Sequence, residues 1–457
     1  MSTTIRFKRI PATLLALTSI ISSTPLLPGP DVSRPIYAQR ADTIVRPIGQ
    51  PIHAGIAPLV EEVSIGVADG PPEQTFSSIA EIAIGPDGSI FVLDRPNGGT
   101  PFLRQYDAAG RFLRTIGRAG DGPGEYRAPS GLAVLRDGRV LLRGAANHRI
   151  NVYDRGGEPV ESWRLNETGT STGQNMVVVD TGGTIWVRTP SRFLPGGTVP
   201  PPPFARFTSA GALIDTVRAP EIPNPPPLLA QGGNVTTSIQ VPYTPQVTFA
   251  LSPLGYFVTG FPSRYAVELR VPPRRAGPPV WRAGDPVISL RREQVPSVPV
   301  PDAERDARRE DIEARLRRTD PSWRWSGMDI PRVKTPYATF RVANDGRIWV
   351  LTSQPSERFD PANDALAGAP VSISGGVGGG GRAGSAGAPR PAPPPPVPWR
   401  SPAVYDVLEP DGRWIGQVRI PYGVTAHVMQ GDHVWASTAD EDGVPYVKRY
   451  RIAWGGR

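Results

Sequence analysis

An all-β fold, a six-bladed β-propeller, is predicted by three observations. Tight turns, most of them ending in glycine, recur about every 45–50 residues where no insert intervenes, a spacing typical of propeller blades. Around each pair of turns lie short runs that alternate apolar and polar residues, the period of a strand with one face on a core. Finally, the last repeat has only three such runs, whereas Val60–Val67 alternates with no hairpin partner near it. That unpaired run can supply the fourth strand of the sixth blade, closing the ring and hiding an edge that would otherwise invite aggregation.

In chain order, residues 1–38 read as a signal peptide. Arg6, Lys8 and Arg9 precede an apolar stretch, Ile10–Ile21, that is short for a bilayer span, and Ala38 offers a cleavage position. Export to the periplasm or outside the cell is expected, with no stable membrane span after cleavage. Residues 39–58 read as an extended, poorly ordered lead-in, and 59–457 as the propeller.

Blade one spans Ile79 to Gly117, with turns at Pro86-Asp87-Gly88 and Ala108-Ala109-Gly110. Blade two turns at Arg136-Asp137-Gly138 and Arg155-Gly156-Gly157, and blade three at Thr181-Gly182-Gly183 and Ser209-Ala210-Gly211. Blade four begins at Val247, turns at Pro253-Leu254-Gly255 and continues through Ala266–Val271 to Val287–Arg291. Blade five begins at Ala338, turns at Asn344-Asp345-Gly346 and resumes at Ala403–Leu408. Blade six comprises Thr425–Met429, His433–Thr438 and Tyr446–Ile452.

Blade two carries a more specific pattern. The loop Gly120-Asp121-Gly122-Pro123-Gly124-Glu125-Tyr126 is followed by Pro129-Ser130-Gly131-Leu132, Asp137-Gly138, Asn147-His148-Arg149-Ile150 and Val152-Tyr153-Asp154. Over this one blade the chain resembles an NHL repeat; elsewhere it resembles a generic six-bladed propeller. The resemblance implies radially packed blades. It leaves function open, because such propellers include binding platforms, cytoplasmic RNA binders, and enzymes such as peptide-amidating lyases, gluconolactonases and strictosidine-synthase-like proteins.

Composition narrows the chemistry. With no cysteine among 457 residues, disulfides and thiolate chemistry are excluded. The net charge of +8 falls to +5 without residues 1–38, too mild to suggest a dedicated nucleic-acid binder. Only Lys8, Lys334 and Lys448 are lysines; the other basic residues are arginine, which we read as a compositional bias. No Gly-Lys-Ser/Thr phosphate loop, Gly-x-Ser-x-Gly elbow or His-Glu-x-x-His motif occurs.

With strands lettered A to D from the axis outward, the long segments fall almost entirely on the B–C and D–A face: 117–130, 189–203, 219–246, 296–336 and 354–402. The exception is 272–286, a C–D insert. One plain face and one elaborated face is the layout of a scaffold carrying a site. Segment 302–318 should be a helix capped by Asp302, acidic early and basic at Arg317 and Arg318. Few of its residues are apolar, so it reads as a solvated strut or lid. Trp323 and Trp325 behind it either line a pocket rim or anchor the helix. Residues 366–398, rich in Gly and Pro, should be disordered.

On the elaborated face, Tyr126, Arg127, Arg188, Arg264, Trp325, Lys334 and Tyr337 lie near inner-strand starts. They suit a small anionic or planar ligand, a peptide or a sugar, or are ordinary surface and packing residues. Of the four histidines only His427, on the innermost strand of blade six, is expected to reach the axial channel. The candidate oxygen ligands Asn97, Asn147, Asn175, Asp329 and Asp440 do not recur at matching blade positions, so neither a metal nor another cofactor is expected. The expected function is an exported monomeric scaffold binding a protein, a peptide or a small anion, with the 296–336 insert roofing the axial mouth. The alternative is a metal-dependent, lactonase-like hydrolase or lyase acting at the axis. RNA binding is a third reading, which the leader argues against.

Overall fold

The computed structural model describes residues 43–96, 99–165, 176–190, 202–220, 224–233, 235–273, 281–282, 284–361 and 397–455. The leader, most of the Gly/Pro-rich 366–398 segment and parts of the 189–203 and 272–286 segments lie outside them.

Local chemistry makes the hairpins. At the A–B turns, Gly88, Gly138, Gly183, Gly255, Gly346 and Gly431 take φ between +56° and +89°, where a Cβ would be strained. In several turns the aspartate before the glycine accepts a bond from the backbone two residues on: Ser89 N to Asp87, Arg139 N to Asp137 and Arg347 N to Asp345, each 3.1 Å. Each hairpin is thereby nucleated within its own few residues.

The strands assemble into six antiparallel sheets. In chain order, blade one holds Ile79–Ile84, Ile90–Asp94, Phe102–Tyr106 and Phe112–Ile116. Blade two runs from Pro129 to Arg164 and blade three from Val177 to Arg218, each with four strands. Blades four and five continue through Arg291 and Ile420, and blade six has Thr425–Gln430, His433–Ala439 and Pro445–Ile452. The fourth strand of blade six is Leu59–Ile65, antiparallel to the C-terminal strand, with Leu59 opposite Ile452 and Ile65 opposite Val447. The chain is a six-bladed β-propeller closed by its N-terminal strand.

Burial follows the ring. Six apolar clusters each span one blade-to-blade interface. Ile65 of the closing strand sits in the one between blades six and one, with Phe76, Ile82, Val92, Trp435 and Val447. Ring closure is therefore a packing contact as well as a ladder.

The lead-in is extended as expected, but its described part, from residue 43, is ordered rather than poorly ordered, because two stretches of it pair with blade edges. Thr43–Pro47 runs parallel to Val287–Arg291 on the outer edge of blade four, and Ile56–Ala57 parallel to Gln417–Val418 on that of blade five. Between them, His53 stacks on Trp454 with ring centroids 5.2 Å apart, and its Nδ1 lies 3.0 Å from Gly455 O. The N-terminal segment thus covers three successive blade edges, two of which carry five strands.

Candidate functional site

The inserts build a cap on the B–C and D–A side. From the segment between blades three and four comes a hairpin, Leu228–Gly232 with Val235–Ile239. From the segment between blades four and five comes a helix, Asp302–Thr319. The helix begins one residue earlier than capping by Asp302 requires: Pro301 occupies the cap position, and Asp302 lies in the first turn, 3.2 Å from Arg305. With no side-chain oxygen at the cap, the acids of the first turn favour the helix N-terminus through its dipole rather than by capping.

Ile312 and Leu316 face the hairpin and pack with Leu228, Ala230, Val241, Trp323 and Ile330. Trp323 donates its indole N–H to Leu229 O at 2.8 Å. Trp325 meets Trp323 edge-on at 6.0 Å and carries the Arg309 guanidinium 4.4 Å from its ring. Of the two readings of this tryptophan pair, anchoring describes Trp323, whereas Trp325 is only half-buried. At its base the insert is pinched by a short ladder in which Val300 N donates to Arg332 O and Lys334 N to Val298 O.

Where the cap meets the B–C insert of blade five, charged groups are buried. Glu304 has no solvent exposure and takes two bonds from Arg308, at 2.8 and 2.9 Å, and one from the Tyr243 hydroxyl. Burial would raise its pKa; Tyr243, Ser356 and Arg308 outweigh that and hold it below the usual range. Tyr243 occupies the left-handed region at φ +63°, uncommon for a residue with a side chain. Lys334 is 5% exposed, and its Nζ lies 2.8 Å from Gln354 O, 2.6 Å from Ser356 Oγ and 2.7 Å from Ser401 Oγ. Burial lowers its pKa, with the nearby Glu304 opposing and Arg308 adding to the effect.

The axial strand of blade six presents a different environment. A bulge between Ala426 and Val428 sets His427 off the ladder, and its Nε2 shares a 2.8 Å bond with Ser437 Oγ. Burial first, and the Arg341 guanidinium second, push its pKa down to about 3, so the ring is neutral at ordinary pH. Arg341 donates to Ala426 O at 3.2 Å. A guanidinium beside the imidazole disfavours a cation there. Among the described residues, no group of three or more His, Asp or Glu side chains could hold a metal ion.

The eight sequence-selected residues do not converge on one pocket. Tyr126 and Tyr337 are fully buried. The Tyr126 hydroxyl bonds Leu103 N and Ile116 O at 3.2 and 3.3 Å between blades one and two, and Tyr337 donates to Ala266 O at 3.0 Å between blades four and five. Both are pegs between blades. Arg127 forms an exposed 3.2 Å pair with Asp121, of the kind that contributes little. Arg264 is exposed in a turn of blade four. Arg188 ends a strand of blade three, where its carbonyl accepts Arg143 Nη1 at 2.6 Å; burial and then Arg143 lower its pKa. Lys334 sits between the Ser356 and Ser401 hydroxyls.

Sequence reasoning missed Tyr243, Glu304, Arg308, Ser356 and Ser401, which come from three separate inserts. The one available signal was Lys334 itself, one of only three lysines in a chain whose other basic residues are arginine.

One family model fits this architecture. The DUF5128 family model, a 6-bladed beta-propeller, matches residues 72–188, about a quarter of the chain. No curated protein is matched. Among solved structures, a candidate exported protein of Bacteroides fragilis is similar at 11% identity over 90% of this chain and 99% of its own, with TM-score 0.43. A DUF4221 family member of Bacteroides vulgatus is similar at 11% identity, 88% and 99% coverage and TM-score 0.45. Virginiamycin B lyase from Staphylococcus aureus is similar at 9% identity, 85% and 83% coverage and TM-score 0.34. The blade assignment rests on the strand ladders themselves. No helix among the described residues is long and apolar enough to cross a membrane.

Proposed function

We propose that this chain is an exported binding propeller of the NHL-like type whose loop-rich face takes an anionic small molecule or an acidic peptide. The observation that carries this reading is the cap: two inserts from different blade junctions share a separate apolar core and rest on a third insert. Neutral drift of loops has no reason to produce a joint core. Guanidinium–aromatic stacks recur on these inserts, with Arg308 5.1 Å from the Tyr243 ring, Arg309 4.4 Å from Trp325 and Arg400 4.2 Å from Tyr422. A guanidinium stacked on an aromatic face keeps its planar fork for carboxylates, as Arg308 does with Glu304 and Arg309 with Asp329. Export rests on the basic and apolar segments of residues 1–38.

The test is a thermal-shift screen of the purified chain against acidic peptides and small phosphorylated or carboxylated compounds. A ligand at one hundred times its Kd stabilises by about 2.7 kcal/mol, enough to read. Its affinity should fall at least tenfold when Arg309 and Arg400 are both replaced by alanine. Ligands whose affinity ignores that double change, yet falls when Arg155 on the opposite face is replaced, would place recognition on the plain face and sink the proposal.

A further inference from the structure

Going beyond binding, we propose that Ser356, Lys334 and Ser401 form a nucleophilic site for acyl transfer, with Ser356 as the nucleophile and the Lys334 amine as its base. A serine hydroxyl is a poor nucleophile unless a base lies within hydrogen-bond reach. Lys334 Nζ is 2.6 Å from Ser356 Oγ and 2.7 Å from Ser401 Oγ, and the two hydroxyls are 3.3 Å apart.

Hydrogen-bond chemistry permits the neutral amine. Gln354 O can only accept, so one N–H is committed to it at 2.8 Å. Each serine hydroxyl can donate or accept. A neutral Lys334 therefore donates to Gln354 O and Ser401, and takes the Ser356 proton on its lone pair with no heavy atom displaced, in competition with the Glu304 carboxylate, to which the Ser356 hydroxyl otherwise donates. Charge balance favours the same state. The Arg308 guanidinium already holds the Glu304 carboxylate. A protonated Lys334 would be a second cation beside the partly buried Arg308 against one anion; Glu304 and the Tyr243 ring, 5.1 Å from Nζ, favour the charged amine, burial and Arg308 the neutral one, and among the described residues no carboxylate makes an ion pair with it. An arginine here would supply more donors but no base.

The backbone places the groups for access. Ser356 directly precedes, and Ser401 directly follows, a short ladder in which Glu357 pairs with Arg400 and Arg358 with Trp399. That ladder holds the serines across from each other. Lys334 reaches them from the stem of the cap insert. Both serines are partly exposed while the lysine is buried.

The substrate class is a carboxylic ester or a comparably activated acyl group. Ser356 Oγ adds to the acyl carbon as its proton passes to Lys334. The bond to the leaving oxygen breaks as Lys334 returns the proton to it, releasing an alcohol. Water then attacks the acyl-serine, giving its proton to Lys334. The acyl C–O bond breaks, Lys334 reprotonates Ser356, and the carboxylic acid leaves. No redox partner or cofactor is needed.

The test is labelling of the whole purified chain with a fluorophosphonate probe, with the adduct mapped by mass spectrometry. The expected result is one adduct, on Ser356, with a labelling rate that rises with pH as Lys334 loses its proton. Ser356→Ala should abolish it. Lys334→Arg, which keeps the positive charge and the donors, should slow it at least a hundredfold while circular dichroism shows the fold unchanged. Should Lys334→Arg fail to fold, the pH–rate profile of the wild-type chain decides, since a structural lysine predicts none. Absence of an adduct on the wild-type chain, an adduct elsewhere, or labelling of Ser356 that Lys334→Arg leaves untouched would overturn the proposal and make the cluster an anchor for the blade-five insert. None of these outcomes bears on ligand binding by Arg309 and Arg400.

Discussion

Closure of the ring by Leu59–Ile65 gives the most direct quantitative test of the fold. Ile65 is 4% exposed, wedged between the last blade and the first. Ile65→Ala removes three carbons, worth about 2.4 kcal/mol at roughly 0.8 kcal/mol for each buried methylene, and leaves a cavity that raises the cost to about 3–4 kcal/mol. Val60, on the same strand but 41% exposed, is the internal control, and Val60→Ala should cost no more than about 0.5 kcal/mol. Urea unfolding followed by tryptophan fluorescence is a suitable assay. With a slope of about 3 kcal/mol per molar, Ile65→Ala should lower the midpoint by about 1 M and Val60→Ala by less than about 0.2 M. The reasoning depends on the closing strand being part of the same cooperative unit as the blades. Equal, small shifts for both substitutions would refute it, because a strand resting loosely on the edge would fray without carrying the ring with it.

Two further expectations follow from particular residues. His427 is held neutral to about pH 3, whereas in the unfolded chain it titrates near 6.5, so the unfolded state binds more protons between these values. The stability it contributes is complete above about pH 6.5 and is lost as pH falls towards 3. Relative to His427→Gln, the native chain should lose on the order of 2–3 kcal/mol between pH 7 and pH 4, and parallel stability curves would refute the assignment. Gly117 lies at φ +59°, and a Cβ there would stand 2.6 Å from the Tyr153 hydroxyl and 2.8 Å from Gly124 O. Gly117→Ala should therefore destabilise by about 2–3 kcal/mol in calorimetry, against about 1 kcal/mol for Gly183→Ala, where φ is +82° but nothing lies within 4 Å. Similar costs at both positions would mean that backbone strain alone, without the clash, sets the penalty.

Much of this architecture was legible in the sequence because its determinants are local. An Asp-Gly turn closes its own hairpin, alternation sets which side of a strand is buried, and a final repeat short of one strand calls for another from elsewhere in the chain. The run at 60–67 could be matched to that gap by counting, without knowledge of a single contact. The segregation of inserts to one face likewise follows from strand order alone.

What sequence could not decide depended on juxtaposition. The pairing of 43–57 with blades four and five is invisible locally, since parallel edge strands carry no turn signal to announce them. The helix looked solvated because only Ile312 and Leu316 are large and apolar; its burial depends on a hairpin some 70 residues earlier in the chain. Tyr126 and Tyr337 seemed suited to a ligand, yet the ring's closure packs them into blade interfaces and gives their hydroxyls to backbone partners. The cluster around Lys334 joins residues from 243 to 401, and no periodicity or spacing encodes it. Sequence by itself determined a propeller, its closure and its elaborated face, because hairpins and alternation act over a few residues. Only the tertiary structure decided which charges are buried together, because desolvation and pairing depend on what long-range packing brings within a few ångströms.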